Sequence, residues 1–85
     1  MSSAKAARAA QKRKIRNAPL RSRAKTFINE TRRSADDGEA ENAEKAAHLA
    51  IVALDKAAQK GAIHSKNAAR RKSRLMKHLD RAKAS

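Results

Sequence analysis

Basic side chains recur along the C-terminal third of this sequence at the spacing of one helical face. They lie three or four residues apart, which makes them neighbours on a helix, and they are Lys66, Arg70, Arg74, Lys77 and Arg81. The opposite side carries Ala68, Leu75, Leu79 and Ala82. A solvated charged face would normally hold carboxylates for salt bridges, but only the neighbouring Asp80 is acidic. We therefore predict that this face contacts phosphates.

A second group of cations occupies the start of the chain, where Ile15 is the one large apolar side chain after Met1 in residues 1–19. The group consists of Lys5, Arg8, Lys12, Arg13, Lys14 and Arg16. Alanines between these cations favour a helix, whereas the like charges repel one another in water. We predict an extension that is frayed when free and helical when phosphates neutralise it. A targeting peptide has a similar composition, but this segment is too poor in bulky apolar residues for an amphipathic presequence.

Catalytic and metal-binding patterns are missing from the sequence. His48, His64 and His78 are far apart, there is no cysteine, and no glycine-rich loop is present. The carboxylates between residues 36 and 44 are better explained by the start of a helix, whose dipole favours negative charge there. We expect no catalytic residue, no metal ion, no cofactor and no small-molecule substrate.

The overall charge points to a polyanionic partner. The chain has 85 residues with 22 Lys and Arg against 8 Asp and Glu, a net charge of +14. Residues 1–35 hold 11 basic and 1 acidic residue (+10), residues 36–60 hold 3 and 6 (−3), and residues 61–85 hold 8 and 1 (+7). Nucleic acid is favoured over a membrane surface, because a membrane-binding helix needs a bulky apolar face beside its basic one. The longest apolar run, residues 49–54, is too short to span a bilayer.

Three helices are needed to position these cations, and we predict them near residues 20–35, 39–60 and 65–82. The first has an apolar stripe that includes Leu20, Ala24 and Phe27, and glycines at positions 38 and 61 are natural helix ends. The expected fold is all-α: a three-helix bundle over residues 20–85, preceded by a long basic N-terminal helical extension over residues 1–19, in a single domain.

Two local features refine this expectation. Pro19 should interrupt the first helix, because proline lacks a backbone N–H and its ring clashes with the preceding turn. Either Asn17 caps a helix that restarts there, or the helix is kinked. In the second helix, Leu49, Val52 and Ala53 extend the apolar surface beyond one face, so we expect that helix to be sandwiched between the other two.

Two sequence blocks resemble the bacterial small-subunit ribosomal protein S-twenty family. The first runs from Leu54 to His64 and includes Lys60-Gly61 before Ile63-His64, and the second covers residues 67–75, Asn-Ala-Ala-Arg-Arg-Lys-Ser-Arg-Leu. Residues 17–28 and Gly38 extend the resemblance over nearly the whole chain. The chain departs from the family pattern at residues 65–67, where the asparagine is displaced by one position, and at Pro19.

The resemblance implies a structural constituent of the small ribosomal subunit, without enzymatic activity and located in the cytoplasm. Such a protein binds small-subunit ribosomal RNA as a monomer, one copy per subunit, acts early in assembly, and touches other ribosomal proteins only peripherally. The resemblance implies RNA contacts at Arg21, Ser22, Lys25, Thr26, His64, Arg70, Arg71, Lys72, Ser73 and Arg74. With the basic extension and the charged face of the third helix, we also expect RNA contacts at Asn17, Arg23, Lys66, Asn67, Lys77 and Arg81.

Composition also indicates how RNA would be bound. A-form RNA is recognised mainly through phosphates, 2′-hydroxyls and shape, and the single aromatic residue, Phe27, lies on the apolar stripe. No aromatic platform is left for stacking unpaired bases, so we expect a clamp on folded RNA. The alternatives are a nucleoid-type basic protein that compacts DNA and a cationic membrane-active helix.

Overall fold

The protein consists of three α-helices. The computed structural model describes the backbone of residues 2–84 and the side chains of residues 7–84. Helix α1 spans Ser2–Asp36, α2 spans Ala40–Gln59 and α3 spans Ser65–Ala84, and no strand occurs within the described backbone. The all-α prediction is confirmed. None of these helices is long and apolar enough to cross a membrane, as judged over residues 2–84.

The first helix is continuous through Pro19, so the predicted interruption is wrong. Asn17 lies inside the helix and does not cap a restart. Proline leaves the carbonyl four residues earlier, that of Ile15, without its helical donor. Pro19 and Ile15 are both exposed, so water can replace that donor. The helix length of about 52 Å, at 1.5 Å per residue, accounts for most of the 60 Å long axis of the molecule.

Glycines end the first two helices in the manner that the sequence predicts. Gly38 has φ 79° and Gly61 has φ 77°, a region that side chains disfavour. After α2, the Gly61 N–H donates to the Ala58 carbonyl at 3.1 Å and the Ala62 N–H donates to the Ala57 carbonyl at 2.8 Å. Two hydrogen bonds of the same pattern end α1 at Gly38. Both glycines therefore form a Schellman turn that reverses the chain.

The core is built largely from alanine, which lets the helices approach closely. Around Leu54, which is fully buried, one cluster joins all three helices near the α2–α3 turn, and its buried members are Ala24, Ala53, Leu54, Ala57, Ala62, Ile63 and Ala68. The second cluster surrounds Leu75 and Leu79 of α3. Phe27 and Ile28 are half-buried and contact both clusters. Ala68, Leu75 and Leu79 form the buried side of α3, as the spacing predicts.

The expectation that α2 is covered on two sides is wrong in part. Ala53 is buried, but Leu49 is 47% exposed and Val52 is 51% exposed. Helices α1 and α3 also contact each other, so both cover the alanine-rich side of α2. With only three helices, nothing within the described chain remains to cover its outer side.

Candidate nucleic-acid interface

The N-terminal half of α1 projects as an exposed cationic helix. All side chains from residues 7–16 are exposed, and Asn17 is the first buried residue among the described side chains of α1. The exposed cations here are Arg8, Lys12, Arg13, Lys14 and Arg16. The side chain of Lys5 lies outside the described residues. This segment offers its positive charge to the surroundings and contributes nothing to the core.

Eight cations of α1 fall into two rows on opposite sides of the helix. We call Arg8, Lys12, Arg16 and Arg23 the first row, and Lys14, Arg21, Lys25 and Arg32 the second row. Residues two positions apart, such as Arg23 and Lys25, project in nearly opposite directions at 3.6 residues per turn. All eight side chains are exposed, and the buried stripe of Ala24 and Thr31 separates the two rows. Helix α1 therefore carries exposed cations on both flanks of the core.

The second row meets α3 in a groove. This groove has a volume of about 370 Å³ and is lined by Lys25, Ile28, Asn29, Arg32, Arg71 and Arg74. Two cations come from each helix, and no carboxylate lines the groove. Among residues 7–84, none of the four cations forms an ion pair. The groove is thus a concentrated, uncompensated positive site between α1 and α3.

The outer face of α3 is as exposed as its spacing predicts. Lys66, Ser73, Lys77 and Arg81 are all exposed. Arg70 is exposed too, and its guanidinium donates to Asn67 Oδ1 at 2.9 Å. This bond orients the Arg70 side chain while leaving most of its donors available.

The α2–α3 turn is held by two polar contacts that place His64 at the surface. Arg21 Nη1 donates to the Ala62 carbonyl at 3.3 Å, which links α1 to the turn. His64 Nδ1 accepts the backbone N–H of Lys66 at 3.2 Å and so satisfies a free donor of the first turn of α3. A ring that accepts at Nδ1 carries its proton on Nε2. That N–H is the group His64 can offer to RNA.

Comparison with known protein families identifies the family of this chain. A family model described as Ribosomal protein S20 matches residues 1–80. The chain belongs to the ribosomal protein S20 family. It is 49% identical over 79 residues to the small ribosomal subunit protein bS20 of Thermomicrobium roseum, a match that covers 93% of this chain and 80% of the relative. The protein of the same name from Dehalococcoides mccartyi strain BAV1 is 48% identical over 95% of this chain and 92% of its own.

A more distant relative extends the match. The bS20 protein of Pseudomonas fluorescens strain Pf0-1 is 43% identical over 98% of this chain and 92% of its own. The resemblance seen in residues 17–28 and 54–75 is therefore confirmed. The S20 family is a family of structural ribosomal proteins, so the chain is not an enzyme. Among the described residues, no group of three or more His, Cys, Asp or Glu side chains could hold a metal ion.

Two residues expected to bind RNA, Lys72 and Asn17, are not fully exposed, whereas the other members of the predicted set with described side chains are exposed. Lys72 Nζ forms an ion pair with Asp55 Oδ1 at 2.7 Å, which places it on the α2 side of α3, away from the groove. Asn17 is only 9% exposed, and its Oδ1 is buried without a hydrogen-bond partner. Ser22 and Thr26 are exposed, and the Thr26 hydroxyl donates to the Ser22 carbonyl at 2.9 Å.

Two residues of the groove were missed by the sequence analysis. Arg32 and Asn29 line the groove beside Lys25, but from the sequence we considered only the apolar stripe in this part of α1. The signal was present in the spacing. Arg32 follows Lys25 by seven residues, two helical turns, and therefore lies on the same side of α1.

Proposed function

We propose that this chain is a structural constituent of the small ribosomal subunit that binds small-subunit ribosomal RNA directly and stabilises its fold during assembly. Membership of the S20 family supports the ribosomal role, since the relatives are named as small ribosomal subunit proteins. The place of action is then the ribosome, in the cytoplasm. The observation that supports direct RNA binding is the set of unpaired cations on both flanks of α1 and on the outer side of α3.

The mode of binding is a clamp on RNA backbones. Each lysine or arginine placed at a phosphate releases condensed counterions, and this release supplies much of the affinity. Because the two rows of α1 face opposite ways, a single helix can bring together two RNA segments whose phosphates repel each other. Arg70, Arg74, Lys77 and Arg81 add a third line of contacts on α3. Such a clamp recognises folded RNA by the arrangement of its backbones.

The chain acts as a monomer with one copy per subunit, and other ribosomal proteins contact it only peripherally. The exposed apolar surface supports this, because the large exposed apolar side chains of residues 7–84 are few and scattered over the three helices: Ile15, Leu49, Val52 and Met76. A stable protein interface buries about 800 Å² on each partner. Leu49 and Val52 are neighbours on α2, but Ile15 and Met76 lie on other helices, so these side chains do not supply an apolar centre large enough for such an interface.

Competition binding tests this function against DNA compaction. Labelled small-subunit ribosomal RNA is bound by the full chain over a range of salt concentrations and challenged with duplex DNA of equal phosphate content. We expect the RNA to be retained at salt concentrations that release the DNA, because only folded RNA offers two backbones at the required separation. Equal competition by generic duplex DNA at every salt concentration would instead support a DNA-compacting protein.

A further inference from the structure

Helix α3 is held in the bundle by few contacts. The most extensive helix–helix contact is between α1 and α2, whereas α3 buries only Ala68, Leu75 and Leu79. Three side-chain contacts also attach α3: the ion pairs of Lys72 with Asp55 and of Lys83 with Glu44, and the hydrogen bond between His78 and Asp36. The three carboxylates are each more than half exposed. Solvent-exposed ion pairs contribute little to stability, so the docking of α3 is marginal.

The groove described above lies across the α1–α3 boundary and opposes that docking. Lys25 and Arg32 form one wall, and Arg71 and Arg74 form the other. Undocking α3 would move Arg71 and Arg74 away from the cations of α1. No carboxylate lines the groove to compensate these like charges. In a solution without a bound anion, repulsion between the walls favours the undocked helix.

We propose that the α1–α3 groove binds a phosphodiester group and that the bound phosphate fastens α3 to α1. This inference rests on the proposed function, because ribosomal RNA supplies the phosphate. The volume of about 370 Å³ equals roughly a dozen water molecules at about 30 Å³ each, enough for a phosphate and part of its sugar. The arginines of both walls reach the anion with charge-assisted hydrogen bonds, and the Asn29 amide adds a donor.

The consequence is that RNA binding and α3 docking are coupled. An anion that binds only the docked state stabilises that state by a factor of 1 + [L]/Kd. The bound phosphate also attracts the cations of both walls, which otherwise repel each other. Helix α3, which carries the outer line of cations, is therefore fixed in place by the RNA that it contacts.

Hydrogen exchange of the full chain, followed residue by residue by NMR, tests this coupling. Inorganic phosphate is titrated against chloride at constant ionic strength. Protection of the α3 amides around Leu75 and Leu79 should rise about elevenfold when phosphate reaches about ten times its Kd. A rise confined to α3 indicates docking, whereas a general salt effect would change α1 and α2 equally and would overturn the proposal.

Matched variants locate the site. The double variant Arg71→Gln, Arg74→Gln removes one wall, and Lys77→Gln, Arg81→Gln removes the same charge from the exposed outer face of the same helix. The wall variant should show higher α3 protection without phosphate and no response to it, while the outer-face variant responds as the wild type does. If the wall variant fails to fold, Lys25→Gln, Arg32→Gln removes the α1 wall and leaves α3 unaltered.

The outcomes separate this inference from the proposed function. A wild-type protein that does not respond to phosphate, or an outer-face variant that loses the response, overturns the phosphate-fastened groove. Ribosomal RNA that is still bound in preference to DNA leaves the proposed function intact in that case. Failure of the RNA preference overturns the proposed function whatever the phosphate titration shows.

Discussion

Leu54 is the side chain on which the bundle most depends, and its replacement by alanine gives a quantitative test of the core. It is fully buried and is surrounded by alanines from three helices and the α2–α3 turn: Ala24, Ala53, Ala57, Ala62 and Ala68. Leucine-to-alanine replacements in a core cost about 2–5 kcal/mol, depending on how far the site can collapse. Most neighbours are alanines, whose methyls are fixed to the backbone, but Ile63, Phe27 and Ile28 also border the site and can shift towards the space. We therefore expect a loss near the middle of that range.

Such a loss is large for a chain of this size. At about 0.05–0.15 kcal/mol per residue, 85 residues give a total stability of roughly 4–13 kcal/mol. Urea denaturation followed by circular dichroism measures the change. Val52→Ala is the matched control, because Val52 lies on the same helix but is 51% exposed, and its replacement should change stability by no more than about 0.5 kcal/mol. If Leu54→Ala costs no more than Val52→Ala, the assignment of the core is wrong.

Three further predictions concern the interface, the turn and the extension. Arg74→Ala should weaken binding to small-subunit ribosomal RNA by about 1–3 kcal/mol and reduce the slope of log affinity against log salt by about 0.7–0.9, without lowering the melting temperature; wild-type affinity and slope would contradict it. Gly61→Ala should destabilise the protein by about 1–2 kcal/mol, because alanine disfavours the left-handed conformation, and an unchanged unfolding midpoint would refute this. The backbone amides of residues 2–19, which are helical in the structure, should exchange rapidly in the free protein, because like charges oppose this helix, and slowly when RNA is bound; slow exchange in the free protein at moderate salt would exclude coupled ordering.

The ends of the helices were predictable because single residues determine them. Gly38 and Gly61 adopt the positive φ that the turns require, and the spacing of Leu75 and Leu79 predicts the buried side of α3. Pro19 was misjudged for the opposite reason. The sequence shows the missing donor, but whether water can replace that donor depends on exposure, which only the packed structure reveals.

The sequence predicts which side chains are exposed at the interface better than it predicts how they are arranged. Exposed cations on α3 follow from their separation from the apolar side. The pairing of Lys72 with Asp55, seventeen residues away, depends on how α3 packs on α2 and has no local signal. The same holds for Leu49 and Val52, because a broad apolar surface does not show how many helices are available to cover it. Arg32 could have been found from its seven-residue separation from Lys25.

Hydroxyl-radical mapping of small-subunit ribosomal RNA is the most direct test of the central claim, that α1 joins two RNA segments through opposite rows of cations. The mapping compares the wild-type chain with Lys12→Gln, Arg16→Gln in the first row and Lys14→Gln, Lys25→Gln in the second. We expect the wild type to protect two regions that are separate in the RNA sequence. Each variant should lose protection in a different one of these regions and keep the other. Protection of a single region, or equal loss of both regions in the two variants, would contradict the account.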